Sequence, residues 1–242
     1  MLDVTVGISP PAPADTDCVR RFARWVAGEC QPGDRVLEIG AGAGRRAARL
    51  SPVYGRGSSV VGVDPDAAVL NNRLVSERHH MTLEEFSDLH EAEFDVAFAI
   101  FVLEHVVHPT AFTQGCARVL KPGGTFLALT MNVYQYFGLI TWAMSRMHVA
   151  DRALERLKGR ETMERYHFPT EYRLNSIHRI SVELDRAGFS SVEFRCFDQT
   201  SRFQWYLPPT LRWFPPMYTK AAYALRAAPL MGHLSFCATK PR

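Results

Sequence analysis

Residues 36–45 read Val-Leu-Glu-Ile-Gly-Ala-Gly-Ala-Gly-Arg, and few folds accommodate that order. A short apolar run with one acid, Arg35 to Ile39, meets glycines at 40, 42 and 44, and a helical pattern begins at Arg45. Glycine permits positive φ and lets a ligand approach the backbone. A helix start presents unpaired N–H groups and a partial positive charge. Asp64 closes the next β-branched run, Ser59 to Val63, 20 residues past Gly44. A carboxylate at that strand end can accept both hydroxyls of a ribose. The loop alone discriminates little. Loop, preceding strand and acid together predict a nucleoside site on an α/β sheet.

The spacing narrows the ligand. A dinucleotide loop places its third glycine five residues after the first; counted from Gly40 that position is Arg45. Glu38 is an odd neighbour for a pyrophosphate but suits a ligand bearing an ammonium group. No Tyr-x-x-x-Lys pair occurs in the chain, which removes one common dehydrogenase site.

Strand and helix signals alternate through the rest of the chain. Strands are predicted at Arg35–Ile39, Ser59–Val63, His80–Leu83, Phe94–Ile100, Thr125–Met131, Ser191–Phe197 and His233–Thr239. Helices are predicted near Val19–Ala27, Arg45–Leu50, Asp66–Glu77, Thr110–Leu120 and Ser176–Ala187. Such alternation predicts a doubly wound, mostly parallel seven-stranded sheet with helices on both faces. The stretch to about Ala14 is rich in Pro and Ala and is expected to be a loose tail. Asn132 to about Arg173 carries no strand signal and is expected to be a helical insert after the fifth strand. Residues 199–232 form an aromatic and basic segment before the last strand. At 242 residues the expectation is one domain, large enough to need no disulfide or metal staple.

Composition excludes several classes. No two of the five cysteines sit at a CxxC spacing, so neither a zinc site nor a disulfide ladder is indicated. A net charge of +3 is too small to argue for nucleic acid. The N-terminus lacks the charged and apolar regions of a signal peptide, and the apolar run Val133 to Met144 is too short to span a bilayer. The expected location is the cytoplasm.

Four ordered segments resemble the class I S-adenosylmethionine-dependent methyltransferases, with their Rossmann-like sheet. VLEIGAGAGR is similar to that family's first motif and VVGVDPD to its second. FDVAFAIFVLEHVVHP is similar to the fourth-strand motif of the ubiquinone/menaquinone-type small-molecule members, and RVLKPGG to the turn before the fifth strand. The resemblance implies S-adenosylmethionine as cofactor and no metal. It implies that Gly40, Ala41, Gly42 and Gly44 line the cofactor, that Glu38 holds its amino group and that Asp64 takes the ribose. Leu83, between Thr82 and Glu84, then lies near the adenine, and Ile100 and Phe101 flank the sulfonium. The acid that many relatives carry at the third strand end has no obvious counterpart; Glu84 and Glu85 are the substitutes.

Two histidines are candidate bases for a hydroxyl acceptor. His105 follows the fourth strand, within Leu103-Glu104-His105, where a scaffold role is the alternative. His167 lies near the end of the insert. The insert's Tyr134, Phe137, Trp142 and Tyr166 are read either as core or as a lid walling an apolar acceptor pocket, which points to O- or C-methylation of a small apolar or aromatic metabolite. The alternatives are a non-methylating reaction such as a cyclisation that keeps the cofactor, and a membrane-associated lipid methyltransferase. From Gln199 onward the chain has no acid but six Lys and Arg residues among aromatics. That segment is read as a packed helix or homodimer contact with solvated charges, as a peripheral membrane contact, or, least, as a nucleic-acid surface.

Overall fold

The computed structural model describes residues 1–10, 17–56, 59–136, 138–139, 170–199, 207 and 209–242. Among these the strands are β1 (Asp3–Ile8), β2 (Arg35–Ile39), β3 (Ser59–Asp64), β4 (Glu77–His80), β5 (Phe94–Ile100), β6 (Leu120–Met131), β7 (Ser191–Phe197) and β8 (His233–Thr239). The helices are α1 (Cys18–Glu29), α2 (Ala47–Tyr54), α3 (Leu83–Leu89), α4 (Pro109–Val119), α5 (Ile177–Arg186) and α6 (Phe214–Ala224). The sheet order is β1-β7-β8-β6-β5-β2-β3-β4. All neighbours are parallel except β8, which runs antiparallel to both β6 and β7.

Strand alternation builds the two layers. Val36, Val60, Val96, Phe98, Ile100, Leu127 and Leu129 face α1 and α2, whose Val19, Phe22, Val26, Leu50 and Val53 complete one core. Leu37, Ile39, Val61, Val63, Ala97, Ala99, Phe126 and Ala128 face Leu83, Phe86, Phe112, Cys116, Ile180 and Leu184 in the other. Strand order reverses between β2 and β5, and the crevice outside the C-terminal strand ends at such a reversal is where sheets of this kind bind ligands.

Three local expectations are corrected. The predicted tail contains β1, an eighth strand, paired in parallel with β7 from Asp3↔Ser191 to Ile8↔Cys196. Val4 and Val6 on it are exposed, so the strand owes its place to ladder hydrogen bonds rather than burial. The predicted helix 66–77 is a single short helical turn, Ala67–Asn71. It stops because the buried Asn72 turns its side chain to Ala41 O (3.3 Å) and to Leu74 N–H (3.1 Å). The strand predicted at 80–83 lies earlier, at Glu77–His80, because Thr82 starts α3. Its hydroxyl accepts from Glu85 N–H (3.2 Å), and Glu85 accepts from Thr82 N–H (2.9 Å), a reciprocal cap. The aromatic and basic segment before the last strand contains α6.

Most of the predicted insert lies outside the described residues. Its two ends do not: Val133 N–H donates to Asn175 O (2.9 Å), and Asn132 N–H to Gly232 O (3.1 Å). The insert therefore leaves and rejoins the sheet at the C-terminal ends of β5 and β6.

Candidate active site

The glycine loop joins β2 to α2. Gly40 N–H donates to Val63 O (2.8 Å), which ties the loop to β3. Gly44 has φ +74°, and a Cβ there would stand 2.5 Å from Asn72 Oδ1. Its glycine serves the packing of the loop on Asn72. Gly42 has φ +47°, and a Cβ there would meet only Asp64 Oδ2, at 3.9 Å. Its glycine leaves open space in front of the acid.

Asp64 is held by the backbone. Oδ2 accepts from Gly42 N–H (2.8 Å) and Oδ1 from Asp66 N–H (2.7 Å). A carboxylate offers about four lone-pair sites, so each oxygen keeps one for a ligand. Glu38 is only 4 % exposed and lies behind the loop. Tyr54, at the end of α2, donates its hydroxyl to Glu38 Oε2 (2.5 Å). Burial pushes the Glu38 carboxyl up to about 7 against the pull of the Tyr54 hydrogen bond and the Arg46 charge, with Asp64 adding to the rise.

A cavity of about 1160 Å³ opens over this edge. Gly40, Ala41, Gly42, Asp64 and Leu83 line one half, with Met81, Thr82 and Glu84 beside them. Ile100, Phe101, His105, His108 and Phe112 line the other. Arg45, Arg46 and Arg49 border it from the start of α2; Arg49 Nε is paired with Asp17 Oδ2 (2.9 Å). Phe101 has φ +53° and donates its N–H to Leu129 O (2.8 Å). A non-glycine residue so placed stores strain and clusters at functional sites.

Of the residues singled out from sequence, Gly40, Ala41, Gly42, Asp64, Leu83, Ile100, Phe101 and His105 come together on this cavity. Glu38 and Gly44 sit behind its wall. His167, Phe137, Trp142 and Tyr166 lie outside the described residues, and Tyr134 is exposed. Glu85 is spent on capping α3, while Glu84 lines the cavity. The Leu-Glu-His turn divides its labour. Glu104 points inward, where its Oε2 accepts from Thr130 Oγ1 (2.9 Å) and its carbonyl takes the N–H groups of Glu171 (2.7 Å) and Tyr172 (3.1 Å). Burial raises the Glu104 carboxyl above its ordinary range. His105 faces the cavity. Tyr54 and Arg46 were missed in the sequence. They flank α2, Arg46 just before its start and Tyr54 at its end, and nothing local in the sequence says which of them turns toward Glu38. Among the described residues no group of three His, Cys, Asp or Glu side chains could hold a metal ion.

Residues 37–128 match the family model described as a methyltransferase domain, a span that includes the glycine loop, Asp64 and His105. The match takes in 92 of the chain's 242 residues. The chain is 39% identical over 126 residues to a ubiquinone biosynthesis O-methyltransferase of Bradyrhizobium sp. (strain ORS 278), covering 49% of this chain and 48% of the relative. The chain thus spans about half the length of the curated relatives it matches. Among solved structures, a SAM-dependent methyltransferase from Archaeoglobus fulgidus aligns with TM-score 0.61 at 14% identity, over 92% of this chain and 93% of that one. The [4+2]-cyclase SpnF aligns with TM-score 0.57 at 18% identity, over 92% of this chain and 80% of that one. At these identities the likeness is one of fold.

Proposed function

We propose that the chain is an S-adenosylmethionine-dependent methyltransferase acting on oxygen or carbon of a small apolar or aromatic acceptor. One observation carries this reading: Asp64 keeps a lone pair on each oxygen while facing a cavity floored by Gly42, where a side chain would fill the space above the acid. That arrangement fits the diol of a nucleoside. Buried Glu38 fits the cofactor's ammonium, since a carboxyl pushed up by burial regains its charge when a cation arrives. When bound, the cofactor supplies a methyl group on a sulfonium as the electrophile. The protein's share is alignment and exclusion of water, and holding two reactants at attack distance lowers a barrier by about 7–11 kcal/mol. The cavity exceeds what one ligand of drug size needs, about 300–1,000 Å³. Its second half, lined by Val106, Phe112 and Ala111, takes the acceptor. His105 is assigned as the base that takes the acceptor's proton, with His167 as the alternative.

The test is calorimetric titration with S-adenosylhomocysteine, then mass spectrometry of acceptor panels. Binding that disappears in Asp64→Ala, and products heavier by one methyl, are expected. Absence of binding by the wild-type chain overturns the reading, and a product of unchanged composition replaces methyl transfer with a rearrangement.

A further inference from the structure

Helix α6 is fastened to the sheet by one face. Thr219 Oγ1 donates to Asp198 Oδ2 (2.6 Å), Ala222 is buried, and Tyr136 lies edge-on to Phe214 (5.1 Å) and Tyr218 (4.9 Å). The opposite face and its flanks carry Leu211, Trp213, Met217, Leu225 and Leu230, all exposed, Trp213 by 60% and Leu225 by 73%. Large exposed side chains at this density mark contact surfaces. Lys220 and Arg226, also exposed, stand among them beside Arg212, and no Asp or Glu occurs from residue 199 to the end of the chain.

The surface has a fixed relation to the cavity. β7 ends and β8 begins at the Phe197↔His233 pair, and β6 ends at Met131↔His233. Asn132 Nδ2 donates to Pro229 O (2.7 Å) and Met231 O (2.9 Å), pinning the return from α6 there. The exposed face thus belongs to the same sheet edge as the mouth of the cavity.

We infer that this face docks on an anionic lipid surface. Trp and Met side chains suit the headgroup boundary, where an apolar body meets water. Each Lys or Arg near such a surface adds attraction that salt screens. A second copy of the chain fits poorly, because a two-fold contact sets the patch against itself, and the charges of this segment are all positive. Docking in this orientation turns the cavity edge toward the bilayer, from which an apolar acceptor can enter without crossing water.

The experiment is co-sedimentation of the full chain with vesicles of phosphatidylcholine alone and of phosphatidylcholine with phosphatidylglycerol. Binding to the anionic vesicles only is expected, falling as ionic strength rises from about 0.1 to about 1 M. Trp213→Glu with Met217→Glu, and separately Arg212→Glu with Arg226→Glu, should each lower partitioning at least about tenfold. The exposed positions keep both variants folded, which an unchanged melting transition verifies. Equal binding to both vesicle types, no binding to either, or wild-type binding by the double variants overturns the proposal. So does a dimer in sedimentation that the Trp213→Glu, Met217→Glu variant dissolves while vesicles capture nothing.

Discussion

The two halves of the cavity are built by different means. The half between β2 and β3 is a backbone cradle around a single acid: Gly40 N–H on Val63 O, Gly42 and Asp66 N–H on Asp64, and glycines where side chains would intrude. The half beyond β5 is side chains: Phe101, His105 and His108 around a turn, and Phe112 on α4; the turn's inner acid, Glu104, is bonded to β6 and to residues 171–172. A backbone cradle holds its one acid in the same place whatever the neighbouring residues become. A side-chain site changes its ligand with one substitution. One fold can thereby hold its cofactor constant while its acceptor varies.

Five substitutions test that division. Asp64→Ala should have the largest effect, because two charge-assisted hydrogen bonds at about 1.5–3 kcal/mol each are lost, a weakening of S-adenosylhomocysteine binding by about 10²–10⁴-fold in calorimetry. His105→Ala, in the other half, should leave that affinity unchanged and lower kcat by about 10²–10⁴-fold in steady-state assays. A fall in affinity equal to that in kcat would erase the distinction between the halves.

Glu38→Gln sharpens the comparison through pH. Burial raises the Glu38 carboxyl from 4.5 to about 7, so the folded chain holds this proton more tightly than the unfolded one. Its ionisation therefore costs stability, increasingly from about pH 4.5 to 7 and in full above that. The Gln variant should gain at most about 3 kcal/mol in denaturant unfolding at pH 8 and nothing below pH 4.5, while losing cofactor affinity. The smallest effect separates two glycines of one loop. Gly44→Ala should be less stable than Gly42→Ala by about 1–3 kcal/mol, since only its Cβ collides, with Asn72. Gly42→Ala should show its loss in ligand affinity instead.

Legibility in the sequence followed the same boundary. Strands β2, β3, β5 and β8 are mainly apolar runs buried on both faces, β7 alternates buried Val192, Phe194 and Cys196 with the exposed Glu193, and the ends of all five were readable to the residue or nearly so. The glycine loop and Asp64 were readable because a backbone site needs particular residues at particular spacings. β1 was not, since Val4 and Val6 alternate without burial, within a segment whose prolines suggested a tail. The reciprocal cap of Thr82 and Glu85 was present in the sequence as T-x-x-E and was passed over for a strand. The Tyr54–Glu38 contact joins residues 16 apart on different elements, and no local pattern announces it. His105 and Glu104 were adjacent in the motif, but only the fold decides that one faces the cavity and the other the core.

The position of β8 has a consequence for how the chain comes together. Among the described strands it comes last in the sequence, yet it lies between β6 and β7 and links β7, and β1 beyond it, to the rest of the sheet. During synthesis β2 through β6 can assemble as they emerge, but residues 3–8 must wait for β7, and that pair must wait for residues 233–239 before docking. Closure over such a sequence separation is slow and leaves strand edges open meanwhile. Emergence of residues 233–239, rather than completion of the nucleoside half, is therefore the step on which the whole sheet waits.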